Sequence, residues 1–274
     1  MQLSQSLTRS FAASFVAVAL ASSPALAQAA KDYEPSMGQA GKDVIWIPTP
    51  QALVDKMLDT AKVTSSDYVI DLGSGDGRTV ITAAKRGATA LGIEYNPDMV
   101  EFAKKNAAKE GVSDKANFVK ADIFESDFSK ATVITMFLLS DINLRLRPKI
   151  LDMKPGTRVV SNTFDMGDWT ADVRISAGND CTSYCNGYFW IVPAKVEGTW
   201  KMPQGELALE QKYQMISGTL KQGTNSTPIT DGKMSGDQIT FTAGGTQYTG
   251  KVAGNAMEGT GKNGGNETKW QATR

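Results

Sequence analysis

The fold of this chain is decided by Asp71-Leu72-Gly73-Ser74-Gly75-Asp76-Gly77-Arg78, which follows directly on the apolar run Tyr68-Val69-Ile70. An apolar run that ends in a carboxylate and enters three alternating glycines predicts a strand, a tight loop and a helix. Glycine has no Cβ, so the backbone can pass close to a small molecule at the positive end of the helix. The spacing is tighter than in NAD-binding loops. Because Asp71 would repel a pyrophosphate and attract an ammonium group, the stretch favours an amino-acid nucleoside over a dinucleotide.

Composition limits the chemistry that this chain can perform. Its 274 residues suffice for one large domain or two modest ones. The 29 acidic and 29 basic residues balance, so the sequence lacks the excess of basic residues that indicates nucleic-acid binding. The chain contains no histidine, which excludes Ser-His-Asp and Cys-His catalysis, histidine zinc sites and histidine general bases. We therefore expect metal-free chemistry without an imidazole, and no nucleic-acid partner.

The N-terminus is typical of an export signal. Arg9 is the only charge in residues 1–27, residues 11–20 are mostly apolar, and Ala25-Leu26-Ala27 supplies a small-x-small cleavage pattern. The apolar core is too short for a permanent membrane span, so we expect none after cleavage. Export to the periplasm is the preferred prediction, and a mitochondrial presequence or a cytoplasmic location is the alternative. Residues 28–43 are predicted to be a linker.

Residues 44–195 alternate between strand-like and helical patterns. The predicted strands are 68–72, 90–94, 116–119, 132–138 and 158–164, and the predicted helices are 51–62, 78–86, 97–110 and 142–153. Two further strand candidates, 171–176 and 187–192, flank a short loop. This order predicts an α/β fold, with a Rossmann-like, mostly parallel sheet that closes with an antiparallel terminal hairpin.

The loop of that hairpin holds Cys181 and Cys185, which are the only cysteines. Their spacing is one residue too long for a C-x-x-C redox motif, and two thiols do not make a zinc site. In an oxidising compartment a local disulfide is plausible, and a pair of free thiols is the alternative.

Residues 196–274 show a strand-like pattern without helical periodicity. Short alternating runs at 206–214, 238–242, 247–252 and 269–272 predict a small antiparallel β meander or barrel. Glycine-containing units at 217–219, 231–233, 249–251 and 259–261 are predicted to be turns. Trp200 and Trp270 lie near the two ends of this region, and we expect them to pack together and close it, in preference to binding a ligand.

Acidic residues also end the second and third predicted strands. Glu94 ends one apolar run, and a carboxylate there can accept both hydroxyls of a ribose. Asp122 follows the next run, where it can accept from an adenine amine while Ile123 and Phe124 cover the ring faces. Helix capping is the alternative role for such acids. Because three strands in succession end in an acid, and the first leads into the glycine loop, the nucleoside interpretation is favoured.

These motifs resemble those of class I S-adenosylmethionine-dependent methyltransferases over residues 44–193. Within that class, Trp46-Ile47-Pro48-Thr49-Pro50, the glycine stretch and Gly92-Ile93-Glu94-Tyr95-Asn96-Pro97 resemble one branch. The branch contains the mitochondrial protein-lysine methyltransferases of the ATP synthase c-ring protein and the adenine nucleotide carrier, with bacterial relatives. The resemblance implies S-adenosylmethionine as cofactor and a Rossmann-like fold.

The resemblance also implies a role for each motif residue. Asp71 would hold the methionine ammonium group, Glu94 the ribose and Asp122 the adenine. Gly73, Gly75 and Gly77 would give the close backbone approach, and Thr49 would lie over the amino-acid end of the cofactor. Asp76 would either cap the following helix or touch the cofactor, and these two roles stay open.

The acceptor pocket is expected where the fourth strand ends, and its candidate residues are Thr135, Phe137 and Ser140. This stretch lacks the Asn/Asp-Pro-Pro-aromatic tetrad of DNA-adenine and glutamine enzymes. DNA adenine and glutamine are therefore disfavoured as acceptors. The resemblance to the protein-lysine methyltransferases implies a protein lysine amine as the acceptor, and a small molecule is the alternative. The alternatives are an exported S-adenosylmethionine-binding or sensing protein without turnover, and an envelope-binding protein that acts through its β domain. The catalytic residue and the oligomeric state stay open.

Overall fold

The computed structural model describes residues 1–2, 33–178, 181–203 and 205–274. Contacts divide the chain into two units, Met1–Asp32 and Tyr33–Arg274. Apart from its first two residues, the predicted signal peptide 1–27 lies outside the described residues and stays a prediction, as does the start of the predicted linker. Within the described part of the chain, no helix is long and apolar enough to cross a membrane.

A seven-stranded mixed sheet with four helices forms the first part of the unit from Tyr33. Its helices are α1 (Gln51–Thr60), α2 (Arg78–Lys85), α3 (Pro97–Lys109) and α4 (Ser140–Leu151). Its strands are β1 (Tyr68–Leu72), β2 (Thr89–Glu94), β3 (Ala116–Lys120), β4 (Val133–Met136), β5 (Arg158–Asn162), β6 (Val173–Ser176) and β7 (Asn186–Ile191). The strand order is β3-β2-β1-β4-β5-β7-β6. Strands β1 to β5 are parallel, and β7 is antiparallel to both β5 and β6.

The burial of this sheet explains why these residues form it. Strand β4 is buried along its whole length, as continuous apolar strands are when helices cover both faces of a parallel sheet. Two apolar clusters result, one on each side: Leu53 and Val80 belong to the first, Ile134 and Leu146 to the second. At the start of α3, the Asn96 side chain accepts hydrogen bonds from two backbone N–H groups, which fixes the helix at the end of β2.

Eight antiparallel strands form a closed barrel after the sheet. They are β8 (Gly198–Met202), β9 (Gly205–Lys212), β10 (Met215–Gln222), β11 (Asn225–Ser235), β12 (Gln238–Ala243), β13 (Thr246–Ala253), β14 (Ala256–Asn263) and β15 (Asn266–Thr273). The predicted fold class is therefore confirmed, and the β region is a barrel. The sheet ends at Ile191 and the barrel begins at Gly198, while the predicted domain boundaries, 44–195 and 196–274, stay predictions.

The barrel differs from the predicted turn pattern. Residues 217–219, 231–233, 249–251 and 259–261 lie inside strands, and the turns fall at 213–214, 223–224, 236–237, 244–245, 254–255 and 264–265. Mid-strand glycine is needed here because neighbouring strands approach closely. A Cβ on Gly218 would lie 1.9 Å from the Ala208 carbonyl oxygen, and one on Gly259 would lie 1.9 Å from that of Thr249.

Trp200 and Trp270 both lie in the barrel core, on strands that pair with each other. Strand β15 pairs with β8 at Thr273 and Lys201, which joins the last strand to the first. The Trp270 ring packs edge-on against Phe241, with 5.9 Å between the centroids. Both residues are core residues as predicted, since 0% and 8% of their surfaces are exposed. Among the described residues, however, the rings in contact with Trp270 are those of Phe241 and Tyr248 and not that of Trp200.

The barrel is attached to the sheet through Trp169, which is fully buried. Its ring lies 5.9 Å from that of Trp190 on β7 and 6.0 Å from that of Tyr213 in the β9–β10 turn. Next to it, the Tyr213 hydroxyl donates to Asp168, which also pairs with Arg147 of α4. These hydrogen bonds lower the pKa of Asp168 to about 2. A buried aromatic stack with a charged rim therefore holds the two parts together.

Candidate functional site

A cavity of about 530 Å³ opens at the carboxyl ends of the parallel strands. Its walls are the segment 39–49, the glycine loop after β1, and the chain that follows β2, β3, β4 and β5. Ligands bind at this edge in open parallel sheets, near the point where the strand order reverses. Here the order reverses between β1 and β4, which is where the glycine loop lies.

The glycine loop adopts backbone angles that other residues avoid. Gly73, Gly75 and Gly77 have φ angles of 77°, 51° and 83°. A Cβ on Gly75 would lie 2.5 Å from Nε1 of Trp46, and one on Gly77 would lie 2.7 Å from the Phe118 ring. Positive φ angles and close neighbours therefore both favour glycine in this loop.

Asp71 is the most perturbed acid of the cavity. It is buried at the end of β1, and its Oδ1 accepts a 2.6 Å hydrogen bond from Thr135 Oγ1 on β4. Burial raises the pKa of Asp71 to about 7, and the nearby charges of Asp76 and Glu94 act in the same direction. A carboxyl group with this pKa is poised to ionise when a cation is placed beside it.

Glu94 is the last residue of β2, and its carboxylate binds the backbone of the glycine loop. Its Oε2 accepts from the Gly75 backbone N–H at 3.0 Å, and its Oε1 accepts from that of Asn96 at 2.9 Å. The carboxylate is half-buried and lines the cavity. The structure therefore holds this acid next to the loop, at the position where the sequence predicts a ribose acceptor.

Asp122, after β3, also lines the cavity together with Ile123. Its Oδ1 accepts from the Phe124 backbone N–H at 2.9 Å, and its Oδ2 pairs with the ammonium group of Lys42. The hydrogen bond from Lys42 lowers the pKa of Asp122. Phe124 differs from its prediction as a ring cover, because it is not among the described residues that line the cavity, and the Arg145 guanidinium lies 3.7 Å above its ring.

Lys42 reaches Asp122 because the segment before α1 folds back over the cavity. Backbone hydrogen bonds from Gly38 to Trp46 and from Gly41 to Val44 form a small hairpin. Lys42 Nζ lies 4.9 Å from the centroid of the Tyr95 ring. The sequence prediction misses this hairpin because residues 28–43 carry no periodic pattern, which is typical of a linker.

Thr49, before α1, and Asp76, within the glycine loop, both line the cavity. Thr49 Oγ1 accepts from the side chain of Asn162 at the end of β5, at 3.1 Å. Asp76 accepts from the backbone N–H of Arg78 at 3.2 Å and pairs with its guanidinium at 2.6 Å. Asp76 thus both holds the start of α2 and faces the cavity, so the two roles left open are compatible.

The structure differs from the predicted acceptor pocket at two of three residues. Thr135 is fully buried behind Asp71, and Ser140 begins α4; neither is among the described residues that line the cavity. Strand β4 extends to Met136, so Thr135 is still part of the sheet, and its hydroxyl donates to Asp71 on the neighbouring strand instead of lining the cavity. Phe137 lines the cavity as predicted, in contact with Phe164 and Tyr184, two residues that the prediction missed.

Tyr184 belongs to the short loop before β7. Cys181 and Cys185 form a disulfide across this loop, with 5.6 Å between their Cα atoms. The local disulfide that the spacing allowed is therefore present. Among the described residues, no group of three or more acidic or cysteine side chains could hold a metal ion.

Sequence comparisons identify the family. The family model of the ANTKMT methyltransferase domain matches residues 71–173. A protein-lysine N-methyltransferase of Saccharolobus islandicus is 45% identical over 141 residues, which are 50% of this chain and 88% of that protein. The chain belongs to this family of S-adenosylmethionine-dependent methyltransferases. The barrel of this methyltransferase lies outside the residues that the family model matches.

Two further proteins that the chain resembles are also methyltransferases. A human lysine N-methyltransferase, named for the c-ring protein of ATP synthase, is 36% identical over 113 residues, and the chain spans 48% of that protein. An RNA methyltransferase from Salinibacter ruber, crystallised with S-adenosyl-L-homocysteine, is 44% identical with a TM-score of 0.51. That match covers 55% of this chain and 96% of the other. The predicted class and cofactor are therefore confirmed.

The cavity of the methyltransferase fits S-adenosylmethionine. Ser74 Oγ is buried in the cavity wall and has no hydrogen-bond partner among the described residues. Asp71 offers a carboxylate to an ammonium group, and the glycine loop leaves no Cβ in the way. Glu94 and Asp122 follow in the order that a ribose and an adenine require. The assignment of each residue to a part of the cofactor stays a prediction.

Proposed function

We propose that this methyltransferase methylates the ε-amine of lysine in a protein. The observation that carries the proposal is the 45% identity to a relative named protein-lysine N-methyltransferase, of which the chain covers 88%. Human and other animal relatives carry names that specify lysine as well. The absence of histidine from the sequence fits an acceptor that needs only to arrive neutral.

The residues of the cavity supply orientation and a dry environment. When bound, S-adenosylmethionine supplies a sulfonium methyl group, which passes to the amine lone pair while the carbon–sulfur electron pair stays on sulfur. Asp71 and the glycine loop would fix the donor end, and positioning of this kind supplies much of the rate. Leu138 and Ile142 line the cavity with apolar surface, which disfavours the charged form of a lysine. The proton lost by the product passes to solvent.

Labelling with tritiated S-adenosylmethionine tests the acceptor. Purified protein is incubated with an envelope extract, with total RNA, and with both. We expect label in protein, recovered as methyllysine after hydrolysis. Glu94→Gln should lose most of the label, because a neutral amide cannot accept both hydroxyls of the ribose as the carboxylate would. Glu101→Gln, an exposed change on α3, is the matched control.

The outcomes of this labelling separate the candidate functions. Label in RNA would replace the lysine proposal by the activity named for the Salinibacter ruber relative. Cofactor binding without label in any fraction would support a sensing role without turnover. No cofactor binding by the wild type would remove both the enzymatic and the sensing role.

We propose that residues 1–27 direct export to an oxidising compartment. The disulfide between Cys181 and Cys185 supports this, since such bonds persist outside the cytosol. Cell fractionation and N-terminal sequencing of the mature protein test the proposal. A mature chain that begins at Gln28 is expected, and an intact Met1 would contradict it.

A further inference from the structure

The strand order divides the cavity into two chemically different halves. Glu94 is the last residue of β2 and Asp122 follows β3, and these two acids form what we call the acidic half. Phe137 and Phe164 follow β4 and β5, and Tyr184 precedes the antiparallel β7, so these three meet at the same edge on the other side of β1. We call them the aromatic half. The cofactor's ribose and adenine suit the acidic half, which leaves the aromatic half for the acceptor.

The three rings of the aromatic half contact one another. The Phe137 and Phe164 centroids lie 6.0 Å apart with 28° between the planes. The Phe137 and Tyr184 centroids lie 5.2 Å apart with 62° between the planes. Both phenylalanines are half-buried, whereas 37% of Tyr184 is exposed. Tyr184 is therefore the outermost of three rings that lead into the cavity.

Two restraints hold the loop of Tyr184 in place, and the backbone of Tyr184 adopts an unfavourable conformation there. The disulfide between Cys181 and Cys185 closes the loop that contains it. The carbonyl oxygen of Cys185 accepts from Ala177 N–H at 2.9 Å, which continues the pairing of the β6–β7 hairpin. Tyr184 itself has a φ of 54°, in the left-handed region that side-chain-bearing residues rarely adopt. Such a conformation persists only where its surroundings impose it.

We propose that Tyr184 is an acceptor-binding residue that, with Phe137 and Phe164, receives the side chain of the acceptor lysine. The proposal rests on the lysine-methylating function proposed above. Ring faces attract the ammonium group that lysine carries until it loses its proton to solvent and becomes the neutral, methyl-accepting amine. The methylene stem of lysine buries well on aromatic surface. Methylation keeps the charge on nitrogen, so the aromatic half also accepts a lysine that already carries methyl groups. The disulfide acts through Tyr184, as a positioning device.

Steady-state kinetics with a single-lysine peptide test this assignment. Tyr184→Ala should raise the acceptor KM about tenfold, as loss of one cation–π contact predicts, with the cofactor Kd unchanged. Tyr184→Phe should restore the wild-type KM, because the ring carries the interaction. Tyr95→Ala removes a tyrosine beside the acidic half of the same cavity. That variant should weaken cofactor binding and leave the acceptor KM unchanged.

A variant without the disulfide tests the positioning role. Cys181→Ser combined with Cys185→Ser should raise the acceptor KM in the same way as Tyr184→Ala, with kcat and the cofactor Kd close to wild type. Adding Tyr184→Ala to this double variant should have little further effect, because both changes remove the same contact. An additional tenfold loss would show that the disulfide does not act through Tyr184.

Binding without turnover separates failure of this inference from failure of the lysine proposal. Calorimetry with S-adenosylhomocysteine present measures the affinity of the same peptide, and its trimethyllysine form, for each variant. If the wild type binds neither form and methylates no lysine, the lysine acceptor is wrong and the inference falls with it. If the wild type binds the peptide and Tyr184→Ala binds it equally well, the lysine acceptor stands and the role of Tyr184 is refuted.

Discussion

Replacing Asp71 by asparagine should stabilise the ligand-free protein while it removes cofactor binding. Burial raises the pKa of Asp71 from 3.8 to about 7 in the folded state. An acid with a raised pKa contributes stability that is fully present below the pKa of the unfolded chain and is lost as the pH rises through the folded value. Asparagine has nearly the same shape and never ionises, so it avoids this loss.

The size of the effect follows from the pKa change. Each unit by which the pKa changes corresponds to about 1.4 kcal/mol. The rise in the pKa of Asp71 from 3.8 to about 7 therefore costs the wild type about 4 kcal/mol of unfolding free energy at alkaline pH. Below about pH 3 both side chains are neutral in both states, so the two proteins should be almost equally stable. The difference should grow as the pH rises and level off above about pH 7.

Denaturant unfolding of both proteins across this pH range measures the difference. Asp114→Asn, an exposed change of the same type, is the control and should follow the wild type at every pH. Calorimetry in parallel should show wild-type cofactor affinity rising with pH towards about 7, because the ammonium group pairs with the ionised carboxylate. An Asp71→Asn protein with unchanged stability at alkaline pH, or with wild-type cofactor affinity, would refute the reasoning.

Three further changes test the neighbouring structure. Thr135→Val removes the hydroxyl that donates to Asp71, so the pKa of Asp71 should rise further. Binding titrations at several pH values should then show half-maximal cofactor binding at a higher pH than in the wild type. Lys42→Met removes the cation that competes for Asp122 and should tighten cofactor binding about two- to fivefold by calorimetry; weaker binding would mean that Lys42 helps to hold the cofactor. Trp169→Ala should lower the unfolding free energy by about 3–5 kcal/mol in denaturant titrations, because it empties the stack between sheet and barrel; a loss below about 1 kcal/mol would contradict that role.

The sequence predicted the methyltransferase fold well because its signals are local. Strands β1 and β2 end within one residue of the point where an apolar run meets Asp71 or Glu94, and a strand pattern needs only its own residues. The barrel strands were harder to predict, since β10, β11, β13 and β14 contain glycines that are typical of turns. Their place inside strands depends on the close approach of a neighbouring strand, as at Gly218, which no local pattern reveals.

By itself, the sequence determined the glycine loop, the acids at the strand ends, and the exclusion of imidazole chemistry. These depend on residue type and short spacing, which folding preserves. Tertiary structure alone decided that Lys42 pairs with Asp122 and that Phe137, Phe164 and Tyr184 form one wall. Those contacts join residues from separate loops, and they arise from the strand order and from the reversed direction of β7. The glycine loop and the acids beside it could therefore be predicted along the chain, whereas the aromatic half exists only once the sheet has assembled.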